Sequence, residues 1–263
     1  MISWVVPGRR PSSDDKAYVT SQDVIDNYTN NGVKDWDKVL PNSGTIHLSV
    51  SNSTLNKFAN TVAKESSGDK NESYALASAI VNTSEHREKL IQKTLETEGI
   101  HGYKDGGNNP NYKQNAEYSR EASINALTGG VDFSYGAIRW DGFDLAAKGF
   151  GHIKAKTYGI ELSEDNFKLF KDAWPDALIK SFSGGKFTSF SSDFSSGIHL
   201  ATDGINKGRC LLLATGVHGR TVFWGINMSP ALKLEKPIPI PFPFPHYIGY
   251  RNPNEGFNRW KSL

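Results

Sequence analysis

Residues 63–82 read AKESSGDKNESYALASAIVN and place a glutamate where the preceding helix predicts an apolar side chain. Leu55, Phe58 and Val62 recur at spacings of three and four residues, which is the stripe of an amphipathic helix. Glu65 is the next member of that stripe. Because a carboxylate on an apolar face is costly unless it is paired or protonated, this position indicates an acid with a function.

Turn residues around this stretch predict the helices on either side of it. We expect one helix from about Ser53, as its N-cap, to Glu65, and a second from about Glu72 towards Leu95, with SGDKN as the break. Upstream, SQDVIDNYTNNG predicts a short helix between an N-cap at Ser21 and a stop at Gly32, and GTIHLSV (44–50) predicts a strand.

The chain beyond the second helix alternates turn-rich and periodic segments. Residues 99–115 consist of turn-forming residues and predict an exposed loop. AEYSREASINAL (116–127) predicts a third helix that ends at Gly129-Gly130, and residues 163–182 predict a fourth, which Pro175 interrupts.

The C-terminal part consists of short runs of strand-forming residues. The runs KFTSF, GIHLAT, RCLLLAT and TVFWGI, separated by glycine turns, predict a small antiparallel sheet. Proline then occupies every second position from 237 to 245, which predicts an extended, polyproline-like tail.

The composition of the 263 residues excludes several classes of function. A net charge of +2 without a Lys/Arg run argues against nucleic acid as a partner, and no apolar run is long enough for a membrane span. The seven histidines are scattered without metal-ligand spacing, so we expect no metal and no cofactor. The single cysteine, Cys210, rules out an internal disulfide, and MISWVVPGRR does not resemble a Sec signal peptide.

The position of Glu65 suits one kind of chemistry. At the C-terminal end of a helix and on its apolar side, desolvation and the helix dipole both favour the protonated carboxyl group. A protonated carboxylic acid is what cleavage of a glycosidic bond requires, because the leaving oxygen must receive a proton. The alternative is that Glu65 turns outward and is solvated.

The residues around Glu65 form a more specific motif. Glu65 opens the motif ESSG, Glu72 follows seven residues later, and the alanine-rich run ALASAIVN ends at Asn82. This arrangement resembles the opening motif of the spore-cortex-lytic cell-wall hydrolase family, within the lysozyme-like and lytic transglycosylase superfamily. ASINALTGGVDFSYGAIRW (122–140) resembles a later stretch of that family. The resemblance covers residues 55 to 145 and departs from the family at Thr83, where an arginine is usual.

The resemblance implies a lysozyme-like, mainly helical catalytic core. Together with the small antiparallel β region that the C-terminal runs predict, this gives an expected α+β fold. The corresponding segments are an N-terminal extension (1–52), the core (53–180), a β-rich region (181–236) and a proline-rich tail (237–263).

The implied activity is cleavage of peptidoglycan glycan strands, by a muramidase or a lytic transglycosylase. On that interpretation Glu65 is the general acid and then the base, and a hydrolase would need a second group to place water. Glu72 is the first candidate for that group, with Asp132 and Asp141 behind it. Alternatively, Glu72 is a helix N-terminal acid that complements the helix dipole.

An enzyme that cleaves glycan strands also needs residues that bind sugars, and the sequence offers candidates for them. Trp140, Tyr135 and Tyr118 would offer flat faces to sugar rings, and Asp132 and Asp141 would accept hydrogen bonds from sugar hydroxyls. Asn82, which closes the motif, completes the set. The alternative for the individual aromatic residues is burial in the core.

Two rival functions remain open from the sequence. One is a non-catalytic module that binds the cell wall or a partner through the β region and the proline tail. The other is a cysteine hydrolase with Cys210 and His218, although Cys210 begins the run CLLLAT, where a buried and inert thiol is expected.

Without a Sec signal, a wall-cleaving enzyme would be made in the cytosol and exported by a signal-independent route. We expect phage-type lysis or injection into a rival's periplasm by a contact-dependent machine such as type VI secretion, which would make the protein an antibacterial effector toxin. Residues 1–50 and the proline tail would then meet the secretion machine or an immunity protein; alternatively, both ends pack on the core or remain in solvent.

Overall fold

The computed structural model describes residues 16–32, 45–104, 112–142, 152–162, 197–202, 206–208 and 212–226. The chain divides into two compact units, unit 1 (Met1–Gly130) and unit 2 (Val131–Leu263). This boundary cuts the segment 53–180, which the sequence predicts as one core. Helices dominate the described part of unit 1 and strands that of unit 2, so the fold mixes helices with small sheets, as the α+β prediction expects.

The described residues of unit 1 include two strands, β1 (Lys16–Val19) and β2 (Ile46–Ser51), which pair antiparallel. Its described helices are α1 (Gln22–Asn30), α2 (Asn52–Glu65), α3 (Lys70–His86), α4 (Ile91–Thr97), α5 (His101–Lys104) and α6 (Tyr112–Leu127). The predicted N-terminal helix and the predicted strand at 44–50 are confirmed. Since β1 pairs with β2, part of the predicted N-terminal extension belongs to unit 1.

Helix α2 buries the stripe that the sequence predicts. Leu55, Phe58 and Val62 are fully buried. The N-cap is Ser51, whose Oγ accepts a hydrogen bond from the Thr54 N–H at 3.1 Å. The prediction of Ser53 as the cap is wrong because β2 runs directly into the helix without an intervening loop.

Helix α3 is buried on every side over one and a half turns, from Ala75 to Ile80. Helices that are buried all round lie at the centre of their unit, and the small alanine and serine side chains let neighbouring helices approach closely. Both α2 and α3 pack against α6. A second apolar cluster joins the strands to the helices; its members are Ala17, Val19, Leu48, Leu55 and Ile124.

The second helix is shorter than predicted, ending at His86 rather than near Leu95. Glu88 takes a left-handed conformation with φ +51°, and the Lys89 N–H bonds back to the Ser84 carbonyl oxygen at 2.9 Å. This is a helix stop that usually carries glycine, so the sequence gives no signal for it. Residues beyond the stop form the separate helix α4.

The loop predicted at 99–115 is in part helical. Residues 99 and 100 are non-helical, as predicted, but helix α5 lies inside the predicted loop and α6 begins at Tyr112. Residues 105–111 lie outside the described residues. The stop of the third helix at Gly129 is confirmed, with Gly129 in the left-handed region at φ +70°.

The described residues of unit 2 form a five-stranded sheet and one short helix. Its elements are β3 (Arg139–Gly142), α7 (Ile153–Tyr158), β4 (Ile160–Leu162), β5 (Gly197–His199), β6 (Leu212–His218) and β7 (Thr221–Ile226). The strand order is β3-β7-β6-β4-β5, and every pair is antiparallel except β4 with β6. Val222, Phe223 and Trp224 are fully buried on β7.

The predicted strands at GIHLAT, RCLLLAT and TVFWGI are confirmed as β5, β6 and β7. The sequence did not predict β3 or the parallel pairing of β4. KFTSF, the fourth helix at 163–182, Cys210 and the proline tail lie outside the described residues. Within the ranges that the structure covers, no helix combines the length and the apolar character needed to cross a membrane.

A matched pair of leucine truncations tests the position of α3. Leu76 is fully buried whereas Leu90 is 80% exposed. We expect Leu76→Ala to lower the free energy of unfolding by about 2–5 kcal/mol through lost burial and a cavity. Leu90→Ala should change it by no more than about 0.5 kcal/mol. Urea unfolding followed by circular dichroism measures both, and equal effects would contradict the central position of α3.

Candidate functional site

Glu65 is the last residue of α2 and is half-buried. Its Oε1 accepts a short hydrogen bond from the backbone N–H of Gly102 in α5. A Cβ on Gly102 would lie 2.8 Å from the Thr61 carbonyl oxygen and 3.0 Å from Cγ of Glu65. Glycine at this position is therefore what lets α5 approach the carboxylate closely enough for its backbone to donate.

The chain reverses immediately after Glu65. Ser66 is buried and caps α2, with its N–H bonded to the Val62 carbonyl oxygen at 2.9 Å. Gly68 has φ +108°, a region that favours glycine, and its N–H donates to Ser66 Oγ at 3.2 Å. Asp69 then caps α3 by accepting a hydrogen bond from the Glu72 N–H at 2.8 Å. We call residues 66–69 the acid turn.

The side chain of Glu72 closes the acid turn. Glu72 is 1% exposed, and its Oε2 accepts hydrogen bonds from Ser67 N at 2.6 Å, Ser67 Oγ at 2.6 Å and Ser66 Oγ at 3.2 Å. Glu72 is the third residue of α3, where a glutamate reaches back over a helix N-terminus in a capping box. The geometry therefore favours a helix-terminal role for Glu72 over placement of a catalytic water.

Asn115 on α6 holds the same turn from another helix. It is 1% exposed, and its Nδ2 donates to the carbonyl oxygens of Ser66 at 3.0 Å and Ala63 at 3.3 Å. A Cβ on Gly68 would lie 3.1 Å from Asn115 Oδ1. These contacts satisfy carbonyl groups that a helix end leaves unpaired, and they fix the backbone on both sides of Glu65.

Sequence reasoning missed Asn115 because it assigned residues 99–115 to an exposed loop. A signal was present, since Asn115, Ser119, Ala122 and Ser123 recur at helical spacing and are all buried. Gly102 was missed for a different reason, because its contribution is a backbone N–H that no side-chain pattern reveals.

Two other predicted residues also lie in unit 1. Asn82 is on α3 and is half-buried. Tyr118 on α6 is 38% exposed, and Lys70 Nζ lies 5.4 Å from the centre of its ring. Lys70 also pairs with Glu121 at 3.4 Å, and Glu121 accepts a hydrogen bond from the Tyr74 hydroxyl at 3.2 Å. Burial, followed by the charge of Glu121, raises the pKa of Tyr74 to about 12.

Asp132 and Tyr135 share one turn in unit 2. The carboxylate of Asp132 accepts hydrogen bonds from Ser134 N at 2.8 Å, Ser134 Oγ at 2.6 Å and Gly136 N at 2.7 Å. Tyr135 lies between these donors with φ +54°, a conformation that costs an L-residue other than glycine about 1–2 kcal/mol. Burial raises the pKa of Tyr135, and the charge of Asp132 adds to that rise.

Trp140 and Asp141 are neighbours on β3. Trp140 is half-buried and opposite Phe223 in the sheet. Asp141 pairs with Lys154 Nζ at 2.9 Å and lies 3.9 Å from Nε2 of His152, and Lys154 Nζ also donates to the Trp140 carbonyl oxygen at 2.7 Å. The Asp141 carboxylate is therefore committed to an ion pair.

The structure brings the predicted residues together in three places: Glu65 with Glu72 at the acid turn, Asp132 with Tyr135, and Trp140 with Asp141. Over the described part of the chain, no group of three or more histidine, cysteine, aspartate or glutamate side chains is arranged to hold a metal ion.

No protein-family model matches the chain, and no curated protein and no solved structure is significantly similar to it. The family resemblance therefore depends on the residues quoted above.

The role of Asn115 can be tested by truncation. We expect Asn115→Ala to lower the free energy of unfolding by about 1–3 kcal/mol, because buried carbonyl oxygens lose their donor. Asn71→Ala is the control, since Asn71 is exposed on α3. Chemical denaturation measures both variants. A loss no larger than that of Asn71→Ala would show that Asn115 does not hold the acid turn.

Proposed function

We propose that this chain cleaves the β-1,4 bond in the glycan strand of peptidoglycan, with Glu65 as the proton donor. One observation carries the proposal: Glu65 is a half-buried carboxyl group beside the acid turn, which Glu72 and Asn115 hold, and its own Oε1 accepts a hydrogen bond from the Gly102 N–H. A general acid must be held close to its productive geometry, and supporting residues of this kind supply that precision.

The proposed reaction needs only one carboxyl group. Protonated Glu65 gives its proton to the glycosidic oxygen as the bond between that oxygen and the anomeric carbon breaks. A hydroxyl group of the same sugar then forms a bond to the anomeric carbon, and its proton returns to the Glu65 carboxylate. The reaction consumes no water and leaves an anhydro sugar end, which is lytic transglycosylase chemistry.

The environment of the other acidic residues supports this route over the muramidase route. A hydrolase needs a second group that can place water at the anomeric carbon. Glu72 is enclosed by donors from the acid turn, Asp132 accepts hydrogen bonds within its own turn, and Asp141 is ion-paired with Lys154. Each candidate for the second carboxylate is therefore engaged in holding local structure.

The proposal includes a lysozyme-like arrangement of the helical core. Its support is the pair formed by α2 and α3, in which a helix ends at the acid and a tight turn leads into a fully buried helix. Substrate binding by Asn82 and Tyr118 of unit 1 belongs to the same proposal, and Tyr135 and Trp140 are the sugar-binding candidates of unit 2. The exposed rings of Tyr118 and Tyr135 are the members of this set best placed to meet a ligand.

Glu65→Gln tests the acid directly. Glutamine has nearly the same size but no acidic proton, so we expect cleavage of dye-labelled sacculi to fall about 10²–10⁴-fold without loss of folding. Activity within about tenfold of the parent would refute Glu65 as the acid, since general acid–base catalysis contributes more than that.

Glu72→Gln is the matched control, seven residues away and with the same chemical change. We expect it to lower the free energy of unfolding by about 1–3 kcal/mol, because charge-assisted hydrogen bonds from the acid turn are weakened. Its cleavage rate, measured below its unfolding midpoint, should stay within about tenfold of the parent. A loss as large as that of Glu65→Gln, in a folded protein, would make Glu72 a catalytic carboxylate and favour the muramidase.

A further inference from the structure

We propose that Tyr135 is the platform for a sugar ring, which makes unit 2 a saccharide-binding unit in addition to its place in the proposed enzyme. The choice of ligand, an N-acetylhexosamine unit of a glycan strand, rests on the proposed function. The binding itself does not depend on cleavage, so the two proposals can fail separately.

The backbone of Tyr135 is strained. Of the described residues other than glycine, only Glu88 and Tyr135 have positive φ, and a bulky aromatic residue is disfavoured there. Such strain persists where the surroundings enforce it, and it is concentrated at functional sites. Glycine or asparagine would suit the backbone of this turn better, so the turn alone does not explain why a tyrosine stands here.

The turn that carries Tyr135 is bonded firmly to the sheet. Thr215 Oγ1 on β6 donates to the Ser134 carbonyl oxygen at 2.7 Å. His218 Nε2 lies 2.9 Å from the Phe133 carbonyl oxygen, and because a carbonyl oxygen accepts, this nitrogen carries the hydrogen. Together with the Asp132 carboxylate, these contacts tie the turn to the sheet, so Tyr135 is presented from a rigid support.

The ring of Tyr135 packs on the surface of the sheet. It stacks beside His218 with 6.2 Å between ring centres and 25° between ring planes. A Cβ on Gly216 would lie 3.1 Å from Cδ2 and 3.3 Å from Cε2 of Tyr135, so the ring lies directly on the backbone of β6. Gly216 adjoins an irregularity in the pairing of β6 with β7. Although the ring is seated in this way, Tyr135 remains 44% exposed.

The chemistry of this surface fits a sugar. A flat aromatic ring on a rigid support suits the apolar face of a pyranose. Among the described residues, the Asp132 carboxylate lies in the same turn as Tyr135 and would repel phosphate. A neutral saccharide therefore fits better than a phosphate-bearing polymer.

The test uses the full chain with Glu65→Gln, so that the ligand stays intact. Binding is measured by calorimetry with a soluble N-acetylglucosamine hexamer and by co-sedimentation with purified sacculi. Tyr135→Gly removes the ring and relieves the left-handed backbone, so we expect about tenfold weaker binding or more without a lower melting temperature. Tyr135→Phe keeps the ring face and should bind within about threefold of the parent.

Gly216→Ala supplies an independent check. Its methyl group would displace the ring from its seat while leaving Tyr135 in place, and we expect weaker binding by the folded variant. Binding by Tyr135→Gly within about twofold of the parent would overturn the platform, as would a parent that binds neither probe. Because these are binding measurements, a chain that binds through Tyr135 but does not cleave sacculi would refute the proposed function and leave the platform standing.

Discussion

The contact on which unit 1 depends is the hydrogen bonding of the Glu72 carboxylate to the acid turn. A carboxylate with 1% exposure is tolerable in a protein interior only when its oxygens are satisfied, and here Ser66 and Ser67 supply the donors. The same bonds join the end of α2 to the start of α3. Glu72, which the sequence offers as a second catalytic candidate, thus links the end of α2, where Glu65 lies, to the start of α3.

Unit 2 also contains a turn that is held by a carboxylate. Asp132 accepts hydrogen bonds from its own turn as Glu72 does from the acid turn, and in both places the neighbouring functional candidate is held by backbone geometry. The candidate is an acid in unit 1, Glu65, and an aromatic ring in unit 2, Tyr135. A buried or partly buried carboxylate can therefore hold local structure even within a motif that predicts catalysis.

The sequence predicted well those features that depend on periodicity or on local turn chemistry. The stripe through Leu55, Phe58 and Val62, the stop at Gly129 and the strands of the β6–β7 hairpin all follow from side-chain spacing. It failed where tertiary contacts override local preference. A left-handed Glu88 ends α3 without a glycine, and Asn115 is buried although turn residues precede it. The partners of Glu65 also escaped prediction, since a backbone N–H carries no sequence signature.

We propose that Glu65 serves as acid and base in the cleavage of glycan strands, without a second carboxylate. Mass spectrometry of the fragments that the folded chain releases from purified sacculi tests it most directly. We expect the unaltered chain to release muropeptides with anhydro ends, and Glu65→Gln to release none. Reducing muramic acid ends would contradict the single-carboxylate route, and free stem peptides would contradict glycan cleavage altogether.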